Sequence, residues 1–391
     1  MTGLASEDLA SMQQKTVVLV CMVDSIHVAR WIAQFEPTEV RFILFPSGPN
    51  RRIHSKILEL IANGKKFGKQ ISIVPFNGKL SLPLWALDRL LSDRIRGLLL
   101  RRTLKKVNPA YVHALELQHA GYVTMRALSD KAVKTPFIAT NYGSDIYWFQ
   151  KFPQHKAKIQ RILERADFYS AECQRDYLLA KGLGFDGLEL PLAPNAGGLV
   201  LEKGTPQDNK ASKRKTIAIK GYHGWVGRAL VALDAIENLK FELADFEIEV
   251  YSADSKVVKR VKSLKRRSGL KCTVHRKGTL SQIEVLNILA KSRLYVGVSL
   301  SDGISTSLLE AMSVGAFPIQ TDTSCANEWI SDGATGVLVR ELSSQAIAKA
   351  IARAVKDDAL VDSAQLTNFQ VILERANWAN LKESSRVFYG L

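Results

Sequence analysis

The 391-residue sequence carries 54 Lys and Arg against 38 Asp and Glu, a net charge of +16, with 46% hydrophobic and 24% charged residues. That composition excludes a disordered chain, and the length calls for two domains rather than one core. The positive balance favours anionic partners, while the lack of RNA-binding aromatic signatures and of zinc-finger spacing argues against nucleic acid.

Residues 1–15 contain Glu7 and Asp8 and no basic end leading into an apolar run, so they do not read as an export signal. No stretch reaches the roughly 18 apolar residues of a membrane span. The cysteines, Cys21, Cys173, Cys272 and Cys325, lie far apart without a CxxC pair, which suggests reduced thiols and neither a zinc site nor a disulfide framework. The expectation is a cytoplasmic protein that can rest peripherally on the inner face of a membrane.

Residues 15–23 (KTVVLVCMV) predict a first strand, and 26–35 a helix. Strand-like runs recur at 40–45, 111–114, 136–140 and 168–171 between helical patterns. Polar segments follow three of these strands: DSIHVARW with Ser25 and His27, HALELQHAGY with His113 and His119, and TNYGSDIYWF with Asp145. A histidine in such a place is either a satisfied structural residue or part of a binding site. Residues 82–106 predict one basic amphipathic helix. Its stripe of Leu84, Leu87, Leu91, Ile95 and Leu98 is interleaved with Arg89, Arg94, Arg96, Arg101, Arg102, Lys105 and Lys106. The stripe either packs into the core or lies on an anionic membrane surface.

Residues 202–215 (EKGTPQDNKASKRK) are almost free of apolar side chains and mark a linker, with the domain boundary at 205/206. Further strands are predicted at 216–219, 246–251, 272–275, 294–298, 316–320 and 336–339, and the basic run 259–267 reads as a solvated helix face. Both halves therefore predict a doubly wound α/β fold, whose ligands bind beyond the carboxyl ends of the strands.

Two segments carry the chemistry. In TIAIKGYHGWVGRALVALDAI, residues 216–236, a strand ends at Lys220, a loop holds Gly221, Gly224 and Gly227, and Arg228 opens a helix. Two cations beside such a loop can neutralise charge growing on a departing diphosphate. In SLSDGISTSLLEAMSVGAFPIQTD, residues 299–322, a small polar loop leads into a helix from about Ser305 to Ser313. Gly303 lets backbone approach a ligand, and the free N–H groups where Ile304, Ser305, Thr306 and Ser307 open the helix favour a phosphate. Glu310 falls about two turns beyond Asp302, where a carboxylate can accept hydrogen bonds from ribose hydroxyls, and Gly315 closes the helix.

These motifs resemble those of the retaining glycosyltransferase family 4, one of the glycosyl transferases group 1. The family pattern of an acid, seven residues, Glu, then Ala-Met-x-x-Gly and a Pro-containing strand is matched by Asp302, Glu310, Ala311, Met312, Gly315 and Pro318. Asp302 stands where Glu is commoner, one methylene shorter. NEWISDGATGVLV, with Asp332, Gly333 and Gly336, resembles the turn that follows in the family. Lys220 and Arg228 stand at the family's Arg and Lys in another order and spacing, and Gly143 with Asp145 resembles its Gly-x-Asp motif.

The resemblance implies a GT-B fold of two Rossmann-like domains facing a central cleft. Residues 1–205 would bind the acceptor and 206–375 the nucleotide sugar, with 376–391 crossing back. It implies transfer with retention, without metal or cofactor, from an α-linked nucleotide-diphosphate sugar to a hydroxyl of a glycan or lipid-linked acceptor, in polysaccharide or glycoconjugate synthesis. The expected catalytic set is Asp302 on the transferred sugar, Glu310 on the ribose, Lys220, Arg228 and Asp145. Gly221, Gly303, Ile304, Ser305, Thr306 and Ser307 would line the donor, and Ser25, His27, His113, His119 and Asp145 the acceptor. The rivals are a sugar epimerase or phosphorylase on the same architecture, and a non-catalytic binder of nucleotide or polyanion.

Overall fold

The computed structural model describes residues 14–48, 52–64, 71–74, 81–130, 132–194, 197–201 and 209–391. The chain divides into two units, Met1–Gly197 with Leu381–Leu391, and Gly198–Asn380.

In the N-terminal unit the strands are β1 (Lys15–Cys21), β2 (Val40–Pro46), β3 (Ile71–Ile73), β4 (Tyr111–Leu115), β5 (Phe137–Thr140), β6 (Phe168–Ser170) and β7 (Leu188–Glu189). They pair in parallel in the order β3-β2-β1-β4-β5-β6-β7. Alternate residues of β1 enter different cores. Val17 and Leu19 pack with Val28 and Trp31, while Val18 and Val20 pack with Leu100 and Val112, so both faces of the sheet are covered. The covering helices are α1 (Ile26–Ile32), α2 (Ser55–Gly64), α3 (Ser81–Leu90), α4 (Arg94–Val107), α5 (Tyr122–Leu128), α6 (Ser144–Tyr147), α7 (Pro153–Arg165) and α8 (Gln174–Gly182).

The segment expected as one helix over 82–106 is two. Ser92 and Asp93 hold left-handed backbone angles, φ 55° and 63°, between α3 and α4. The break is fixed by pairing across it: the Asp88 carboxylate accepts Ile95 N–H at 2.7 Å and Arg96 Nε at 2.5 Å, and Asp93 accepts Arg96 Nη2 at 2.6 Å. Arg96, read from the sequence among the interleaved cations, is fully buried and also donates to the Ser47 carbonyl. The inward face of α4 is Arg96, Gly97, Leu100 and Leu104 rather than the leucine stripe.

In the C-terminal unit β8 (Thr216–Lys220), β9 (Glu247–Ala253), β10 (Lys271–Arg276), β11 (Ser292–Gly297), β12 (Phe317–Thr321) and β13 (Val337–Val339) form a parallel sheet ordered β10-β9-β8-β11-β12-β13. Around it run α9 (Ala229–Asn238), α10 (Ser255–Ser268), α11 (Gln282–Ala290), α12 (Thr306–Ser313), α13 (Ser344–Lys356) and α14 (Asp358–Arg375), and α15 (Trp378–Arg386) carries the chain on into the other unit. On α10, which holds the basic run 259–267, Val257, Val258, Val261 and Leu264 are buried while Arg260 and Arg267 pair with Asp234 and Glu237 of α9.

The division falls at 197/198 and 380/381, not at 205/206 and 375/376, because Leu199 is stitched into the C-terminal unit. Its N–H donates to the Ala376 carbonyl at 2.8 Å, and its carbonyl accepts from Trp378 N–H at 3.0 Å. Of the expected linker, 202–208 lies outside the described residues. The remainder is anchored, with Ala211 and Arg214 buried, Ser212 N–H donating to Asp362 at 2.8 Å, and Arg214 Nη1 bonding the Ser292 and Val314 carbonyls.

Candidate active site

In a doubly wound sheet, the loops to either side of the strand where the order reverses diverge and leave room for a ligand at the carboxyl edge. In the C-terminal unit that place lies between β8 and β11, which pair directly, Ala218 beside Tyr295 and Ile219 beside Val296. The two segments singled out in the sequence leave these neighbouring strands. They are bonded together: Arg228 N–H donates to the Val298 carbonyl at 2.9 Å, Leu300 N–H to the Val226 carbonyl at 2.8 Å, and Gly227 bridges Ser299.

Within this joined pair, Lys220 is half-buried at the end of β8 and Arg228 caps the start of α9. Arg228 Nη1 donates to the Gly224 and Gly227 carbonyls, both at 2.7 Å, folding the loop around its own guanidinium. Neither cation has an acidic partner among the described residues, so their charge is available to an anion. Gly221 serves packing: a Cβ there would lie 2.8 Å from both Ala253 Cα and the Tyr251 carbonyl. His223, which sequence reasoning passed over, lies in the same loop, its N–H on Asp254 at 2.9 Å. Burial lowers its pKa, Arg228 and Lys256 add to that, and Asp254 opposes them.

Across the pair, Asp302 Oδ1 accepts Gly303 N–H at 3.0 Å and Asp302 N–H reaches the Thr323 carbonyl at 3.3 Å, shaping the turn that leads through Ile304 and Ser305 into α12. Thr306 and Ser307 supply its first-turn amides, which have no intrahelical acceptor in any helix. Glu310 is 7% exposed on the second turn and accepts Gln282 Nε2 at 3.3 Å. Behind the loop, Thr321 Oγ1 accepts Ser299 N–H and Thr323 Oγ1 donates to the Ser299 carbonyl, which fixes the strand exit.

In the N-terminal unit the order reverses between β1 and β4. After β1, Ser25 caps α1 by accepting His27 N–H at 3.2 Å, and the His27 ring lies 6.3 Å from that of Tyr142. After β5, Asp145 is buried; its Oδ2 accepts Leu117 N–H at 2.8 Å and Tyr142 N–H at 3.0 Å, and burial lifts its pKa to about 7 against those bonds. His119 is half-buried on the turn after β4, its pKa lowered by burial and then by Arg89 and Arg96. His113 is placed differently from the others. It points into the core from β4 with no exposure, Nδ1 on the Tyr389 hydroxyl at 2.8 Å and Nε2 on Thr140 Oγ1 at 2.6 Å, and burial drives its pKa down to about 3. It holds the core together in a neutral state.

Glu116, absent from the sequence-based set, stands beside Asp145 at the end of β4. It is 6% exposed, takes φ +108°, and accepts the Ser47 hydroxyl at 3.0 Å. Burial, and then Asp145, lift its pKa to about 8. A non-glycine residue held at such an angle stores strain that surrounding structure must impose, and such strain clusters at functional sites.

Residues 206–368 match the family of glycosyl transferases group 1. That group 1 segment lies within the Gly198–Asn380 unit and contains both joined loops. No curated protein sequence matches the chain. Among solved structures, it is similar to HepE from Anabaena in complex with UDP and glucose, at 12% identity and a TM-score of 0.67 over 97% of this chain and 100% of that one. Sucrose-phosphate synthase from Thermosynechococcus elongatus is similar at 13% identity and 0.68, covering 96% and 98%. A glycosyltransferase from Rickettsia africae is similar at 16% identity and 0.66, covering 96% and 98%. At these identities the likeness is one of fold, and the fold is GT-B, two parallel-sheet α/β units.

Proposed function

We propose that the chain is a retaining glycosyltransferase that moves a sugar from an α-linked nucleoside diphosphate to a hydroxyl of a glycan or lipid-linked acceptor. The observation that carries this reading is the bonding of the Lys220–Arg228 loop to the Asp302 loop through Val226, Arg228, Val298 and Leu300. It gathers two cations without acidic partners among the described residues, a helix start and a buried carboxylate at one switch point of the unit that matches group 1. Each suits one part of a nucleotide sugar: the amides of Thr306 and Ser307 the diphosphate, Glu310 the ribose, Asp302 the sugar hydroxyls.

In the proposed reaction the acceptor oxygen bonds to the anomeric carbon as its bond to the diphosphate oxygen breaks, and the acceptor proton leaves with the nucleoside diphosphate. Lys220 and Arg228 meet the charge growing on that leaving group, without a metal. Ser25, His27, His119, Asp145 and the newly found Glu116 line the proposed acceptor side, in a peripheral enzyme of polysaccharide or glycoconjugate synthesis.

The HepE structures hold UDP or UDP-glucose, so UDP-sugars are the first donors to try. A bound donor at a hundred times its dissociation constant should add about 2.7 kcal/mol to the stability of the native state, read as a raised melting midpoint. With acceptor present, nucleoside diphosphate should appear together with an α-linked product. Absence of both nucleotide stabilisation and diphosphate release sinks the reading, and a β-linked product removes retention. An epimerised sugar formed without acceptor assigns the site to a different enzyme.

A further inference from the structure

The glycine-rich loop after β8 closes on itself. Ala229 N–H donates to the Tyr222 carbonyl and Gly224 N–H to the Gly227 carbonyl, both at 3.3 Å, and His223 lies antiparallel to Arg228. Residues directly opposite in such a pair turn their side chains to the same face, so the half-buried His223 imidazole and the Arg228 guanidinium share one. Arg228 stands at the N-cap of α9 and supplies no side-chain cap. His223 takes that place, its Nδ1 accepting Leu230 N–H at 3.5 Å. A ring nitrogen that accepts carries no proton, which puts the proton of the neutral imidazole on Nε2. Burial keeps the ring neutral; Arg228 of α9 and Lys256 of α10 also disfavour its cation, against Asp254. The Asp254 carboxylate is committed to the amides of His223, Lys256 and Val257. Nε2 has no partner among the described residues.

We propose that His223 is a further residue on the leaving diphosphate, donating Nε2–H to a phosphate oxygen beside Lys220 and Arg228 while Nδ1 holds the start of α9. This role rests on the loop being the seat of the donor diphosphate. Capping alone does not call for an imidazole, since Ser, Thr, Asp and Asn are the residues that cap helices well. What histidine adds is a second nitrogen, on the far side of the ring from the one that caps. A third cation between Lys220 and Arg228 would be repelled by both, whereas a neutral N–H adds a directed bond to an anionic oxygen without that cost. The ring keeps its proton throughout. As the bond between the anomeric carbon and the diphosphate oxygen breaks, the N–H meets part of the charge left behind.

Two variants separate the two nitrogens. His223→Asn keeps an acceptor near Nδ1 and loses the Nε2 donor; His223→Gln keeps a donor near Nε2 and loses the acceptor for Leu230. Titration calorimetry of the full chain with UDP, GDP and ADP, beside thermal melting without nucleotide, reads both effects. His223→Asn should melt like the parent and bind the preferred nucleotide roughly tenfold more weakly, as for a lost hydrogen bond to a charged oxygen. His223→Gln should bind close to the parent and melt about 2 to 4 °C lower, as for a lost cap. Parent-like affinity in His223→Asn, or affinity that follows the melting midpoint rather than the Nε2 donor, overturns the proposal and leaves the donor-site reading standing. A parent that binds none of the three nucleotides overturns both.

Discussion

Glu116 and Asp145 are carboxyl groups placed where their charged forms are disfavoured, with pKa values raised to about 8 and about 7, chiefly by burial. The folded unit therefore holds protons that the unfolded chain gives up from about pH 4. Where the native state binds more protons, stability falls as pH rises, so this contribution is present below about pH 4 and is lost as pH climbs to about 8. Glu116→Gln should flatten that decline and leave the variant more stable than the parent by roughly 1 to 3 kcal/mol near pH 8. Urea unfolding at several pH values measures it; a slope identical to the parent's would mean that Glu116 does not hold a proton. His113 contributes the opposite slope, since a histidine whose pKa is depressed to about 3 costs stability as pH falls below about 6.5. For the donor, Glu310→Gln should weaken use of nucleotide sugar by about 1.5 to 3 kcal/mol, the worth of a charged hydrogen bond, visible as a fall in kcat/KM. Unchanged kinetics would release Glu310 from that role.

The glycine-rich loop after β8 shows how much an element reveals before it is folded. Its strand, its glycines and its flanking cations are legible in the sequence because each follows from local chemistry. Its attachment to the Asp302 loop is not, because Val226 and Leu300 are distant in the chain and meet only through the parallel pairing of β8 and β11. The same distinction explains the rest. Asp302, Gly303 and Glu310 are readable from one segment. The burial of His113 depends on Tyr389, 276 residues away, and that of Arg96 on Ser47 and Asp88. The strands Ile71–Ile73 and Leu188–Glu189 are too short to leave a periodic signal, and the break between α3 and α4 falls at Ser92 and Asp93, with neither glycine nor proline to mark it. Two variants test the loop. Lys220→Ala or Arg228→Ala should lower kcat more than it raises KM, since the charge they meet grows in the transition state; equal changes would argue for ground-state binding. Gly221→Ala should cost about 1 to 3 kcal/mol of stability through overpacking against β9, and an unchanged melting midpoint would show that the strand can yield.

At the scale of the whole molecule, the N-terminal unit is assembled from two separate pieces of sequence. Phe388 and Tyr389 lie fully inside its core against Trp31, Phe35 and Phe42. Trp31 Nε1 donates to the Tyr389 hydroxyl at 3.0 Å, and Lys15 Nζ to the Tyr389 carbonyl at 2.7 Å. Removing 387–391 should therefore destabilise this unit by more than the 3 to 5 kcal/mol typical of one buried aromatic, while nucleotide still stabilises the other. Limited proteolysis should cut within 14–194 and spare 209–380; equal resistance of both would refute the dependence. The arrangement also sets an order of events during synthesis. The stretch Gly198–Asn380 leaves the ribosome before its companion can close. At roughly 5 to 20 residues per second the earlier strands wait on the order of ten seconds or more, their groove beside Trp31 still open. Over that interval the growing chain offers chaperones an aromatic slot that only its own later residues will fill.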